Sequence, residues 1–136
     1  MDEKRIVLFL CPYGGAKSVI AASYFNRLAQ EQALPYVGIA AAAETPYETV
    51  PLPVANFLAG DGFDVRAFKP HHVAPEEVRS ATKVVSIGCN LADVDLAGAV
   101  LERWDDVPKV SAGLEASAAA IRRHVETLAA ELRRRP

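Results

Sequence analysis

Residues 6–18, Ile-Val-Leu-Phe-Leu-Cys-Pro-Tyr-Gly-Gly-Ala-Lys-Ser, constrain this chain more than any other stretch. Ile6–Leu10 is a short, unbroken apolar run of strand formers, the pattern of a strand buried on both faces. From Val19 onward, Val19, Ile20, Phe25, Leu28 and Ala29 fall at helical spacing, with Ser18 near the start. Between the two, Gly14 and Gly15 permit positive φ, so the loop can turn its N–H groups toward a common point. A helix N-terminus at the same place adds partial positive charge. Cys11 thus ends a strand on the rim of an anion-binding nest. There the thiolate is favoured over the thiol, and its pKa is expected below the free value of about 8.5. Such a sulfur is suited to attack a bound tetrahedral oxyanion.

The remaining chain alternates strand and helix, which implies an α/β domain with a parallel sheet and helices on both sides. The expected elements are a strand at Tyr36–Ala43, a short helix at Val54–Ala59 and a short strand at Phe63-Asp64-Val65. A helix start follows at Ala74-Pro75-Glu76-Glu77, with proline and two carboxylates at its positive end. Thr82–Gly88 is expected as the last strand. A closing helix from about Leu114 to Leu132 carries one apolar stripe, Leu114, Ala118, Ile121, Val125, Leu128 and Leu132. With 136 residues, half of them hydrophobic and a quarter charged, the chain fits a single domain, residues 1–136. A net charge of −2 argues against broad nucleic-acid binding. No apolar run approaches the ~20 residues that cross a bilayer, so no membrane partner is expected. Met1–Arg5 leads straight into the first strand, so no signal peptide is expected, and two cysteines in such a chain read as reduced or redox-active. The expected setting is cytoplasmic.

Cys11-x5-Lys17-Ser18 at a strand–loop–helix junction resembles the low-molecular-weight protein tyrosine phosphatase and thioredoxin-type arsenate reductase superfamily, whose loop reads Cys-x5-Arg-Ser. The resemblance runs along nearly the whole chain. Ala41–Pro46 is similar to the small-residue turn after the second strand, and Asn56–Asp64 to the stretch leading into the third. Lys83–Cys89 looks like the fourth strand of the arsenate reductase branch, which ends in a second cysteine. Arg103-Trp104-Asp105-Asp106-Val107-Pro108 resembles the loop that supplies the general acid. The resemblance implies a three-layer α/β/α domain with a four-stranded parallel sheet. It further implies an anion held by Pro12, Tyr13, Gly14, Gly15, Ala16 and Lys17, with Cys11 as nucleophile. Ser18 would bond the thiolate, Asp105 or Asp106 would protonate the leaving oxygen, and Cys89 would be a possible resolving thiol. No cofactor is called for. Arsenate, phosphate or a phosphomonoester is the implied small-molecule partner, with thioredoxin, glutaredoxin or a low-molecular-weight thiol as possible reductant.

Departures from the pattern shape these expectations. Lysine replaces arginine at position 17, exchanging a planar fork for one point charge. A ten- to thousandfold loss of rate is expected if one well-placed donor is worth ~1.4–4 kcal/mol. Tyr13-Gly14 stands where glycine-asparagine is usual, Ala16 where phosphatases often carry a cysteine, and a residue separates Asp106 from Pro108. Leu96 lies near the place of the third cysteine that thioredoxin-coupled reductases use. Cys89 and Trp104 favour the arsenate branch. The phosphatase branch would show paired aromatic residues after Asp-Pro, where this chain has Lys109-Val110-Ser111. A phosphomonoester hydrolase and an oxyanion-binding protein with weakened turnover remain as alternatives.

Simpler readings exist for each residue. Cys11 or Cys89 could be a small apolar side chain, Ser18 a helix cap, Asp105 and Asp106 a polar helix lead-in, and Trp104 a packing anchor. His71 and His72 lack metal-site spacing with the cysteines and read as a solvated loop. Arg133-Arg134-Arg135 reads as a solvated helix end favoured by the dipole.

Overall fold

The computed structural model describes residues 4–92, 94–96 and 98–134. The expectations placed on Met1–Glu3 and on Arg135 lie outside them. Four strands, β1 (Arg5–Cys11), β2 (Tyr36–Ala42), β3 (Ala81–Ser86) and β4 (Leu101–Arg103), form one sheet in the order β2-β1-β3-β4. All three pairings are parallel, with Cys11 opposite Ala42 and Leu10 opposite Ser86. The helices are α1 (Lys17–Glu31), α2 (Leu52–Gly60), α3 (Pro75–Ser80) and α4 (Leu114–Arg133), with a 3₁₀ turn at Val110–Ala112. This is the expected α/β/α arrangement with a four-stranded parallel sheet.

Side-chain alternation along β1 divides the core. Val7, Phe9 and Cys11 face a large cluster with α1, α4, Val54 and Leu58, while Leu8 and Leu10 face a smaller one with Val73, Val78 and Val84. Every residue from Val7 to Leu10 is fully buried, as expected for a central parallel strand. The α4 stripe also holds: Ala118, Ile121, Val125, Leu128 and Leu132 are buried, with Leu114 packed partly against the same cluster.

Two strand assignments change. Phe63-Asp64-Val65 is not a strand, so Asn56–Asp64 does not lead into one. Gly62 takes φ +89°, the Phe63 amide donates back to Leu58 O, and Phe63 packs edge-on against Tyr24. Hydrophobic content at these positions serves packing from a turn. Nor is β3 the last strand. Leu101-Glu102-Arg103 adds a short edge strand, unreadable from its sequence because two of three residues are charged. Glu102 is accommodated by Lys83 Nζ at 2.8 Å and by the Trp104 indole N–H at 2.5 Å.

Candidate active site

Three backbone bonds tie the loop after β1 to the segment after β2. The carbonyls of Cys11, Pro12 and Tyr13 accept from the amides of Ala43, Glu44 and Tyr47 at 3.0, 2.9 and 3.0 Å. With the carbonyls so engaged, the amides of residues 13–16 have no protein acceptor among the described residues. The two glycines differ in purpose. Gly14 has φ +67°, and a Cβ there would lie 2.8 Å from the Ala42 nitrogen. Gly15 does not take positive φ, contrary to expectation; it is small because a Cβ would meet Tyr47 Cδ2 at 2.8 Å. Helix α1 begins at Lys17 with Ala16 as its N-cap, so Ser18 lies inside the first turn and is not the cap. Its side chain is fully buried, with Oγ 3.1 Å from Cys11 Sγ.

Cys11 is 2% exposed and contributes to the wall of a cavity of about 600 Å³, together with Pro12, Tyr13, Ala16 and Lys17. Lysine 17 reaches across to the loop after β3. A Cβ on Gly88, which has φ +68°, would come within 2.8 Å of Lys17 Nζ. This role of Gly88 was missed in the sequence; the Ile-Gly-Cys step at the end of a strand was its signal. In the outer wall Tyr13 was expected, but its partner Tyr47 was missed. The Tyr13 and Tyr47 rings stand 5.0 Å apart at 47°, both substantially exposed, beside Pro51 and Pro53.

The other expected site residues lie apart. Cys89 is half-buried, packs with the smaller core cluster and does not line the cavity. Burial pushes its thiol up to about 11; the Ser86 hydroxyl pulls the other way, the Cys11 charge adds to the rise and Lys17 opposes it. Both cysteines are free thiols. Ser86 Oγ is fully buried without a hydrogen-bond partner of ordinary geometry, although it lies near enough to Cys89 to favour the thiolate. Neither Asp105 nor Asp106 lines the cavity. Both are exposed, and Asp106 Oδ1 is 2.7 Å from His124 Nε2 on α4. That hydrogen bond holds the Asp106 carboxyl below the usual carboxylate range. His124 in turn stacks on Trp104, rings 4.8 Å apart, so the buried Trp104 is indeed a packing anchor. Facing the cavity instead are Lys109, Val110 and Ser111, with Glu44 as its only carboxylate among the described lining residues. His71 pairs with Glu77 and His72 bonds the Val73 carbonyl. Among the described residues no cluster of three or more metal-ligating side chains occurs, and no helix is long and apolar enough to cross a membrane.

The strand–loop–helix junction thus sets a buried cysteine, unengaged loop amides and a lysine around one cavity. The fold is that of the low-molecular-weight protein tyrosine phosphatase and arsenate reductase superfamily. No protein-family model matches the chain. A Corynebacterium glutamicum thioredoxin-dependent arsenate reductase superposes with a TM-score of 0.83 at 17% identity, over 97% of this chain and 63% of that one. The chain therefore spans under two thirds of that protein's length. An Archaeoglobus fulgidus arsenate reductase gives 0.71 at 25% identity, covering 90% and 97% of the two chains. A low-molecular-weight protein tyrosine phosphatase from T. tengcongensis gives 0.79 at 13% identity, covering 94% and 99%.

Proposed function

We propose that this protein is a cysteine-dependent enzyme acting on a tetrahedral oxyanion, with Cys11 as nucleophile. The contact of Cys11 Sγ with Ser18 Oγ at 3.1 Å, on a cavity that also takes in Lys17, carries the reading. In the attack the thiolate bonds to the central atom of the anion and one oxygen leaves with a proton. The Ser18 hydroxyl donates to the thiolate, while Lys17 and the free amides of residues 13–16 hold the remaining oxygens. A cytoplasmic setting, where both thiols stay reduced, belongs to the same proposal.

Within that class we favour arsenate reductase-like chemistry. A sulfur–arsenic bond forms as hydroxide leaves. A second thiol then attacks the Cys11 sulfur, and the electrons of the broken bond reduce arsenic(V) to arsenic(III) as a disulfide forms. Cys89, the second thiol of the chain, is one candidate for that thiol; because burial raises it to about 11, an external thiol is the other. Thioredoxin, glutaredoxin or a low-molecular-weight thiol would return the disulfide to dithiol. The size and aromatic wall of the cavity favour a second reading, phosphomonoester hydrolysis. For that reaction Glu44 is the carboxylate at hand, since Asp106 is bound to His124.

The test is alkylation of Cys11 by iodoacetamide at mildly acidic pH, with and without phosphate. Rapid labelling that phosphate suppresses is expected; slow labelling indifferent to phosphate would overturn the proposal. Thiol-dependent arsenate reduction and para-nitrophenyl phosphate hydrolysis, each against Cys11→Ser, then separate the two reactions. Phosphate protection without either activity would identify an oxyanion-binding protein. Lys17→Arg is expected to raise whichever rate is present by roughly tenfold or more, through the second oxygen contact of the guanidinium.

A further inference from the structure

Charge around the cavity is left unbalanced by the protein. Lys17 and Lys109 both line it, and neither forms an ion pair among the described residues. Against these two cations stands one exposed carboxylate, Glu44. Lys109 is not on a loose loop. The fully buried Ser117 donates from Oγ to Pro108 O at 2.5 Å, and the Ala112 amide donates to Lys109 O at 2.9 Å. The backbone under Lys109 is thus pinned to α4, on the wall where the resemblance led one to expect an acid loop.

The cavity is also large for a bare oxyanion. At about 600 Å³ it falls in the range of clefts that take organic ligands of tens of atoms. Its Tyr13–Tyr47 wall offers aromatic faces to a carbon frame. We infer that the cavity takes an organic phosphate carrying a second acidic group, the phosphoryl lying at Cys11 and Lys17 and the second acid at Lys109. This rests on the reading of Cys11 and Lys17 as an oxyanion site, and it sits with phosphomonoester hydrolysis rather than with reduction of bare arsenate.

Two probes that differ by one carboxylate test it: phenyl phosphate and 4-carboxyphenyl phosphate, compared by the concentration that protects Cys11 from iodoacetamide at low, fixed ionic strength. The carboxylated probe is expected to protect at roughly two- to fivefold lower concentration, the effect of one partly solvated ion pair. Lys109→Gln abolishes that preference and Lys109→Arg keeps it. Equal protection by both probes in the unaltered protein, or a preference that survives Lys109→Gln, overturns the inference and leaves the oxyanion reading standing. Protection by neither probe removes the oxyanion reading itself and the inference with it.

Discussion

Individual side chains near the first sulfur show how environment divides two cysteines into different chemistries. Cys11 ends a strand beside a hydroxyl, a lysine and unengaged amides, whereas Cys89 is packed among apolar residues beyond β3. Burial raises the Cys89 thiol from 9.0 to about 11, so at neutral pH it is a thiol and a poor nucleophile. Site-resolved mass spectrometry of alkylation on the unaltered protein should find Cys89 slow through pH 8, its rate climbing toward a midpoint near 11. A group raised in the folded state contributes stability below its unfolded value and loses it as pH rises through the folded one. The same thiol therefore favours folding below about pH 9 and ceases to between 9 and 11. A Cys89 midpoint near that of a free thiol would contradict both expectations.

Strands and helices carry their own test in the turn that ends α1. Leu34 N donates to Ala29 O at 2.8 Å and Ala33 N to Gln30 O at 3.2 Å, the paired bonds of a Schellman cap. The residue that cap asks for is glycine, yet Ala33 sits there at φ +54° with its side chain exposed. Ala33→Gly should stabilise the protein by about 0.5–1 kcal/mol in chemical denaturation, relief of left-handed strain outweighing the added chain entropy. Equal or lower stability would show that the turn is held by its neighbours at no cost. Such elements also mark how much was legible in advance. Periodicity located β1, β2, β3 and the stripe of α4 because each buries a continuous apolar face. It failed at Phe63–Val65, where apolar residues pack from a turn, and at Leu101–Arg103, whose charged Glu102 is neutralised by residues far away in the chain.

Across the molecule, the edge of the sheet depends on a small charged network joining β3, β4 and α4. Lys83, almost fully buried, reaches Glu102 at 2.8 Å and Glu131 at 3.7 Å, while Trp104 bonds the other Glu102 oxygen. Burial works against the Glu102 carboxylate, but the Lys83 ammonium and the indole N–H together hold it below its usual 4.5. A carboxyl depressed by folding contributes stability above its unfolded value and loses it as pH falls through the folded one. Acid should therefore weaken the protein below about pH 4.5, and Lys83→Met should both flatten that dependence and cost about 1–3 kcal/mol at neutral pH. An acid profile unchanged by Lys83→Met would place the pH dependence elsewhere. The candidate site was legible from the sequence where it is local, in Cys11, Gly14, Lys17 and Ser18. It was illegible where distant segments complete it, as with Tyr47, Gly88 and Lys109, which approach only once the sheet and α4 are assembled.

The bare backbone of Gly88 beside the Lys17 ammonium means that the room left to the cation is set by the loop after β3 as well as by the helix that bears the lysine. Installing any side chain at position 88 would tilt that charge without touching the loop after β1, whereas lengthening residue 17 would draw on the same small gap. The two positions form a single adjustable joint, and refitting an arginine grip to this chain would have to keep the far half of that joint empty.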